Sequence, residues 1–163
     1  MSVHTSFPST FRQAHERAVE DVNRWRGHCM ELHARYEQAV KDSLLPRLDG
    51  EQMPQTFERC VKSLATLLKK AASPASSKIV GVLTELQKLR EWRDRLAHAT
   101  SMVHLDTNRE WIWHWSLPGS NGDKLEGSLR QAEALKTEKE LSAQVKKLRS
   151  LLGQVGKQDA VAD

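Results

Sequence analysis

The sequence predicts a mainly α-helical fold: an antiparallel bundle of about four helices with a small β-hairpin before the last one. Three observations predict it. Apolar residues recur at three- and four-residue spacing over three long segments within the first hundred positions; proline and glycine punctuate the gaps between them; and the period drops to two only around Trp111 to Trp115. With 163 residues and 39% hydrophobic content, the chain suits one domain with a true core, expected over residues 1–153, followed by a flexible tail at 154–163.

Ser9 and Thr10 are start signals for a first helix running to about Leu45, in which Phe11, Ala14, Ala18, Val22, Trp25, Cys29, Leu32, Tyr36 and Val40 recur at helical spacing. Pro46 ends it. A linker containing Asp49 and Gly50 leads to a second helix from about Pro54 to Ala72, with Phe57, Val61, Leu64, Leu67 and Leu68 on one stripe and proline favourable in its first turn. Ser73 and Pro74 repeat that start signal for a third helix, expected to run unbroken to about Ala99, and short connections make the three antiparallel neighbours. Tryptophans at 111, 113 and 115 then fall on one side of a strand, and the turn residues Pro118 to Asp123 lead to a weaker strand near Lys124 to Leu129, giving a hairpin at about 109–129. Thr137 and Glu140 fit a capping box for the last helix, whose apolar side is Leu141, Val145, Leu148, Leu151 and Leu152, with Gly153 as its stop. The tail beyond carries too little apolar content to order itself.

Charge narrows the partners. Twenty-five basic against 21 acidic residues leave a net charge of +4, which admits a polyanion without the basic tail that would demand one. Cys29 and Cys60 lie inside helical patterns and form no C-x-x-C, so they read as buried thiols of a reducing compartment. His28 and His33 flank Cys29, but residues five apart share no helix face, and no metal or cofactor is expected. No apolar run approaches 18 residues, and the first eight residues have neither the basic nor the apolar region of a leader. The expectation is a cytoplasmic protein with no membrane contact.

One residue breaks the pattern of the third helix. At 100° per residue, Ile79, Val82, Leu83, Leu86, Leu89, Leu96 and Ala97 fall within about 80° of one direction, and Arg93 lies near the centre of that arc. A guanidinium on an apolar face needs a carboxylate, a phosphate or a second subunit. His98 follows five residues later, where the helix runs out.

At Arg93-Asp-Arg-Leu-Ala-His98 the chain resembles the HEPN superfamily, helical-bundle proteins marked by an arginine, a polar residue, then three or more residues and a histidine near the end of a long helix. Asp94 occupies the polar position. Arg26 with His33 and Arg109 with His114 also fit the spacing, but the first has no polar residue after the arginine and the second lies in the hairpin. The resemblance covers residues 10–152 in outline and is specific at six positions.

The resemblance implies a metal-independent endoribonuclease of toxin or defence type, a homodimer with two copies of the motif facing one cleft, and a cognate antitoxin, often nucleotidyltransferase-like. The chemistry fits that arrangement, because residues five apart on one helix point about 140° away from each other and converge poorly on one phosphate. In the implied mechanism His98 takes the proton of a ribose 2′-hydroxyl, Arg93 offsets charge on the phosphorane, and Asp94 orients Arg93 or fixes the histidine tautomer. Arg90 and Arg95, with Lys78 and Lys88, flank the motif and are candidates to line a groove for the RNA backbone.

Two alternatives stand beside this reading. Arg93 can be held by an acidic residue of the first helix, such as Asp21 or Glu37, leaving a non-catalytic dimerisation or protein-interaction module. The tryptophans can serve as a stacking platform for unpaired bases, but a hairpin appended to helices must bury one face, and large aromatics do so at little entropic cost. Ile112 and His114 then point outward, with His114 an ordinary surface imidazole.

Overall fold

The structure, a computed structural model, describes residues 9–119 and 122–159. The elements among them are α1 (Ser9–Leu44), α2 (Phe57–Lys70), α3 (Pro74–Lys88), α4 (Arg90–His98), β1 (Thr100–Leu105), β2 (Trp111–Pro118), β3 (Lys124–Arg130) and α5 (Gln131–Asp159). The fold is mainly α. It packs as two compact units, one made of residues up to Cys29 with Asp94–Glu138, the other of Met30–Arg93 with the chain from Lys139 onward. No helix among the described residues is long and apolar enough to cross a membrane.

In the second unit most of the predicted stripe residues form the core: Leu32, Tyr36 and Val40 of α1, Val61, Leu64 and Leu68 of α2, and Ile79, Val82, Leu83 and Leu86 of α3 are buried, joined by Leu44 and Cys60, while Phe57 and Leu67 are half-buried. The Tyr36 and Phe57 rings meet edge to face at 4.9 Å. Pro46 opens a single 3₁₀ turn, Leu45–Arg47, that closes α1. Arg47 donates to the Ser43 carbonyl at 2.6 Å, satisfying one of the acceptors a helix end leaves open. Asp49 and Gly50 both adopt positive φ in the linker that follows. Helix α2 starts three residues later than the sequence suggests, because Thr56 and not Pro54 supplies the cap, its hydroxyl accepting from the Arg59 amide. Ser73 caps α3 in the same way, with Pro74 in the first turn.

The expected third helix is two helices. At Leu89 the backbone bonds shorten from four-residue to three-residue steps, Leu89 N–H to the Leu86 carbonyl and Trp92 N–H to the Leu89 carbonyl, both 3.2 Å. The 100° progression therefore does not carry across Leu89. Arg93 owes its position to the start of α4 and not to a continuous apolar stripe from Ile79.

In the first unit, Ala18, Val22, Trp25 and Cys29 of α1 are buried, as are Leu96, Trp111, Trp113, Leu129 and Ala134. The sheet is a three-stranded antiparallel meander in the order β1-β2-β3, with Leu105 opposite Trp111 and Trp113 opposite Leu129. Trp111 and Trp113 pack on Trp25, with ring centres 5.8 and 5.5 Å apart, and the Trp25 indole donates to the Ala134 carbonyl at 3.0 Å. These two tryptophans serve the core and not a base-stacking surface. Strand β1 is an addition to the expected hairpin. Its loop into β2 is built by Asp106, whose carboxylate accepts from the amides of Asn108 and Glu110 at 2.8 and 3.0 Å.

Two boundaries of the last helix also differ from expectation. It begins at Gln131, where the Glu133 carboxylate accepts from the Arg130 amide at 3.1 Å, while Thr137 sits inside it and bonds back to the Glu133 carbonyl. Gly153 does not stop it: Val155 is buried at the spacing of Leu141, Val145 and Leu148, which draws the chain on as helix to Asp159. The expected tail is thus helical over its first six residues, and 160–163 lie outside the described residues. Phe11, expected in the core, is 46% exposed, because the buried face of α1 starts only at Ala18.

Candidate functional site

The motif residues are all carried by α4, a nine-residue helix. Arg93 and Arg90 belong to the second unit, Asp94, Arg95 and His98 to the first. The Arg93 Nε lies 3.2 Å from the Glu37 carboxylate on α1, so the carboxylate answer to the buried-cation question is present. The pair is not sealed off, since the Arg93 side chain keeps 39% of its exposure. Arg90 reaches Glu58 of α2 at 3.1 Å, and Lys62 joins the same carboxylate at 2.8 Å. The hydrogen bonds from Lys62 and Arg90 hold the Glu58 carboxyl below the usual carboxylate range.

In the first unit, His98 is the last residue of α4 and is exposed, as is Asp94. Arg95 does not project alone into solvent: its guanidinium lies 4.7 Å from the Trp115 ring centre. Trp115 in turn needs Gly127, its direct partner on β3, because a Cβ there would come within 2.7 Å of the ring. Of the two arginines expected to bind RNA backbone, one is thus committed to a carboxylate and the other to an aromatic face.

Arg26 has a role that its sequence pattern did not reveal. It donates to the Leu96 carbonyl at 2.6 Å and to the Ser101 hydroxyl at 3.1 Å, and it sits 5.5 Å from the Trp113 ring centre. Burial lowers its pKa from the ordinary guanidinium value. It caps the end of α4 and ties that end to β1. His15, also on α1, donates to the Val103 carbonyl at 3.0 Å and so covers the outward edge of β1.

The sheet has a second face that the sequence reading left nearly empty. Met102, His104 and His114 stand on it with Thr100, Ser116 and Ser128, lining an open concavity of about 610 Å³. Met102 pairs with His114 across the strands, and the His104 and His114 rings meet at 4.8 Å with their planes perpendicular. The missed signal was the alternation from Thr100 to Leu105, hidden by the expectation that this stretch merely leaves a helix.

Elsewhere the titratable groups are structural. His28 donates to the Glu138 carboxylate at 2.7 Å. The Cys29 thiol is pushed up to about 12 by burial first and by the Glu138 charge second, so it is an inert sulfur. Cys60 is likewise buried and unbridged. Among the described residues no group of three or more His, Cys, Asp or Glu side chains could hold a metal ion. Compared with known proteins, the chain matches no family model, no curated protein and no solved structure.

Proposed function

We propose that this chain is a HEPN-like helical-bundle endoribonuclease that works as a homodimer, with α4 of each copy lining a shared cleft. The observation that carries the reading is the condition of the motif arginine: Arg93 is oriented by Glu37 yet 39% exposed, which describes a cation held in place but within reach of a ligand. His98, exposed at the end of the same helix, supports it. In one copy the two side chains leave α4 about 140° apart, so the reading assigns Arg93 and His98 of different copies to one phosphate.

The reaction follows from those groups. His98 accepts the proton of a ribose 2′-hydroxyl as its oxygen attacks the adjacent phosphorus, and Arg93 binds the non-bridging oxygens where charge accumulates. The bond to the 5′ oxygen breaks, that oxygen takes a proton from the second His98, and a 2′,3′-cyclic phosphate remains. The partners implied are RNA, a second copy of the chain and a restraining antitoxin. The test is cleavage of total RNA by wild type, Arg93→Ala and His98→Ala in the presence of a chelator. Cyclic-phosphate products from wild type, reduced about 10²–10⁴-fold in either variant, are expected for loss of a general base or its electrostatic partner. Cleavage that survives both substitutions would overturn the assignment.

The Glu37 ion pair also favours a second reading, in which Arg93 only fastens α4 to α1 and the chain is a non-catalytic dimerisation or protein-interaction module. Wild-type protein that leaves RNA intact while forming dimers would establish that reading instead.

A further inference from the structure

We infer that the open face of the sheet is a binding site for a soft monovalent cation, Cu(I), held by Met102, His104 and His114. Neither the motif on α4 nor the proposed RNA chemistry uses these residues, and the inference is independent of both. Strand pairing assembles them: Met102 lies directly opposite His114, and His104 stands two residues beyond Met102 on the same face. All three line the same concavity, which is open to solvent.

The spacing of the rings suits a chelate. A metal to imidazole nitrogen bond of about 2.0–2.1 Å puts each ring centre roughly 3.2 Å from the ion, and two such rings at a tetrahedral angle then stand about 5 Å apart. The observed separation, 4.8 Å in an edge-to-face contact at 89°, is of that size, so rotation about the side-chain bonds can bring a nitrogen of each ring onto one ion. Met102 supplies the third donor. It is 63% exposed, and its unbranched stem lets the thioether swing onto an ion beside its cross-strand partner.

Donor type selects the metal. Two neutral imidazoles and a thioether bring no negative charge, which suits Cu(I) and disfavours the hard cations that want carboxylates. The carboxylate on this face, Glu126, is engaged by Lys124 at 3.2 Å. An ion on these ligands would bridge β1 to β2.

The test is titration of the whole protein with Cu(I) against a chromophoric Cu(I) chelator under reducing conditions. One equivalent is expected to bind, with affinity falling at least 100-fold in His104→Ala and in His114→Ala and at least 10-fold in Met102→Leu. All three side chains lie on the sheet's open face, so the variants are expected to fold, which circular dichroism and melting check. Absence of uptake by wild type, or undiminished uptake by the His104→Ala/His114→Ala double variant, would overturn the proposal by placing the metal nowhere or on the cysteines. Loss in the histidine variants with none in Met102→Leu would overturn the assignment to a soft cation.

Discussion

Two arginines a short distance apart in the logic of this chain, Arg26 and Arg93, have opposite fates. Arg26 of the first unit is used up by the fold: two hydrogen bonds, an aromatic neighbour and enough burial to lower its pKa. Arg93 of the second unit rests on the Glu37 carboxylate and keeps 39% of its side-chain exposure. Both fit an arginine-to-histidine spacing, so spacing does not separate structure from function. The kind of partner differs instead: Arg26 meets a helix-end carbonyl, a hydroxyl and an aromatic ring, and Arg93 a carboxylate.

Replacing Arg26 by alanine removes the donor to the Leu96 carbonyl at the end of α4, and losing charged hydrogen bonds of this kind costs about 2–3 kcal/mol. Urea unfolding followed by tryptophan fluorescence measures it. Next in size is Gly127→Ala, where a new Cβ must displace the Trp115 ring or bend β3, an overpacking cost of about 1–3 kcal/mol with loss of the Arg95 stacking. The smallest effect is expected for Glu37→Gln, because a partly exposed ion pair contributes about 1 kcal/mol or less. Equal destabilisation by Arg26→Ala and Glu37→Gln would erase the distinction and make both arginines structural.

Much of the helical core was legible because it depends on spacing alone: the stripe from Ala18 to Val40 is buried as read, as are Val61, Leu64 and Leu68, while Phe57 and Leu67 are half-buried. The outward direction of His114 was legible too, from the alternation of Trp111, Trp113 and Trp115. The hidden parts share one cause, a local signal that only tertiary partners complete. The break at Leu89 carries no proline or glycine, so periodicity ran through it. Strand β1 is six residues that gain their meaning from the register with β2. Without β1, Met102 and His104 had no place beside His114. Val155 extends α5 past Gly153 because a single buried side chain at the right spacing outweighs one poor helix former, a penalty of about 1 kcal/mol. Of the candidate site, the sequence supplied the residues, and Glu37 among the possible partners of Arg93. It did not supply the exposure that keeps Arg93 available, nor the commitment of Arg90 to Glu58 and of Arg95 to Trp115.

In the proposed dimer one phosphate is served by Arg93 of one copy and His98 of the other. Mixing purified Arg93→Ala and His98→Ala proteins, each inactive alone, and assaying RNA cleavage after subunit exchange tests it directly. Activity in the mixture is expected to rise well above that of either component while staying below wild type, because mixed dimers unite an intact arginine with an intact histidine across the cleft but lack the second His98 that protonates the 5′ oxygen. A mixture as inactive as its components, in a sample shown to contain mixed dimers, would contradict it.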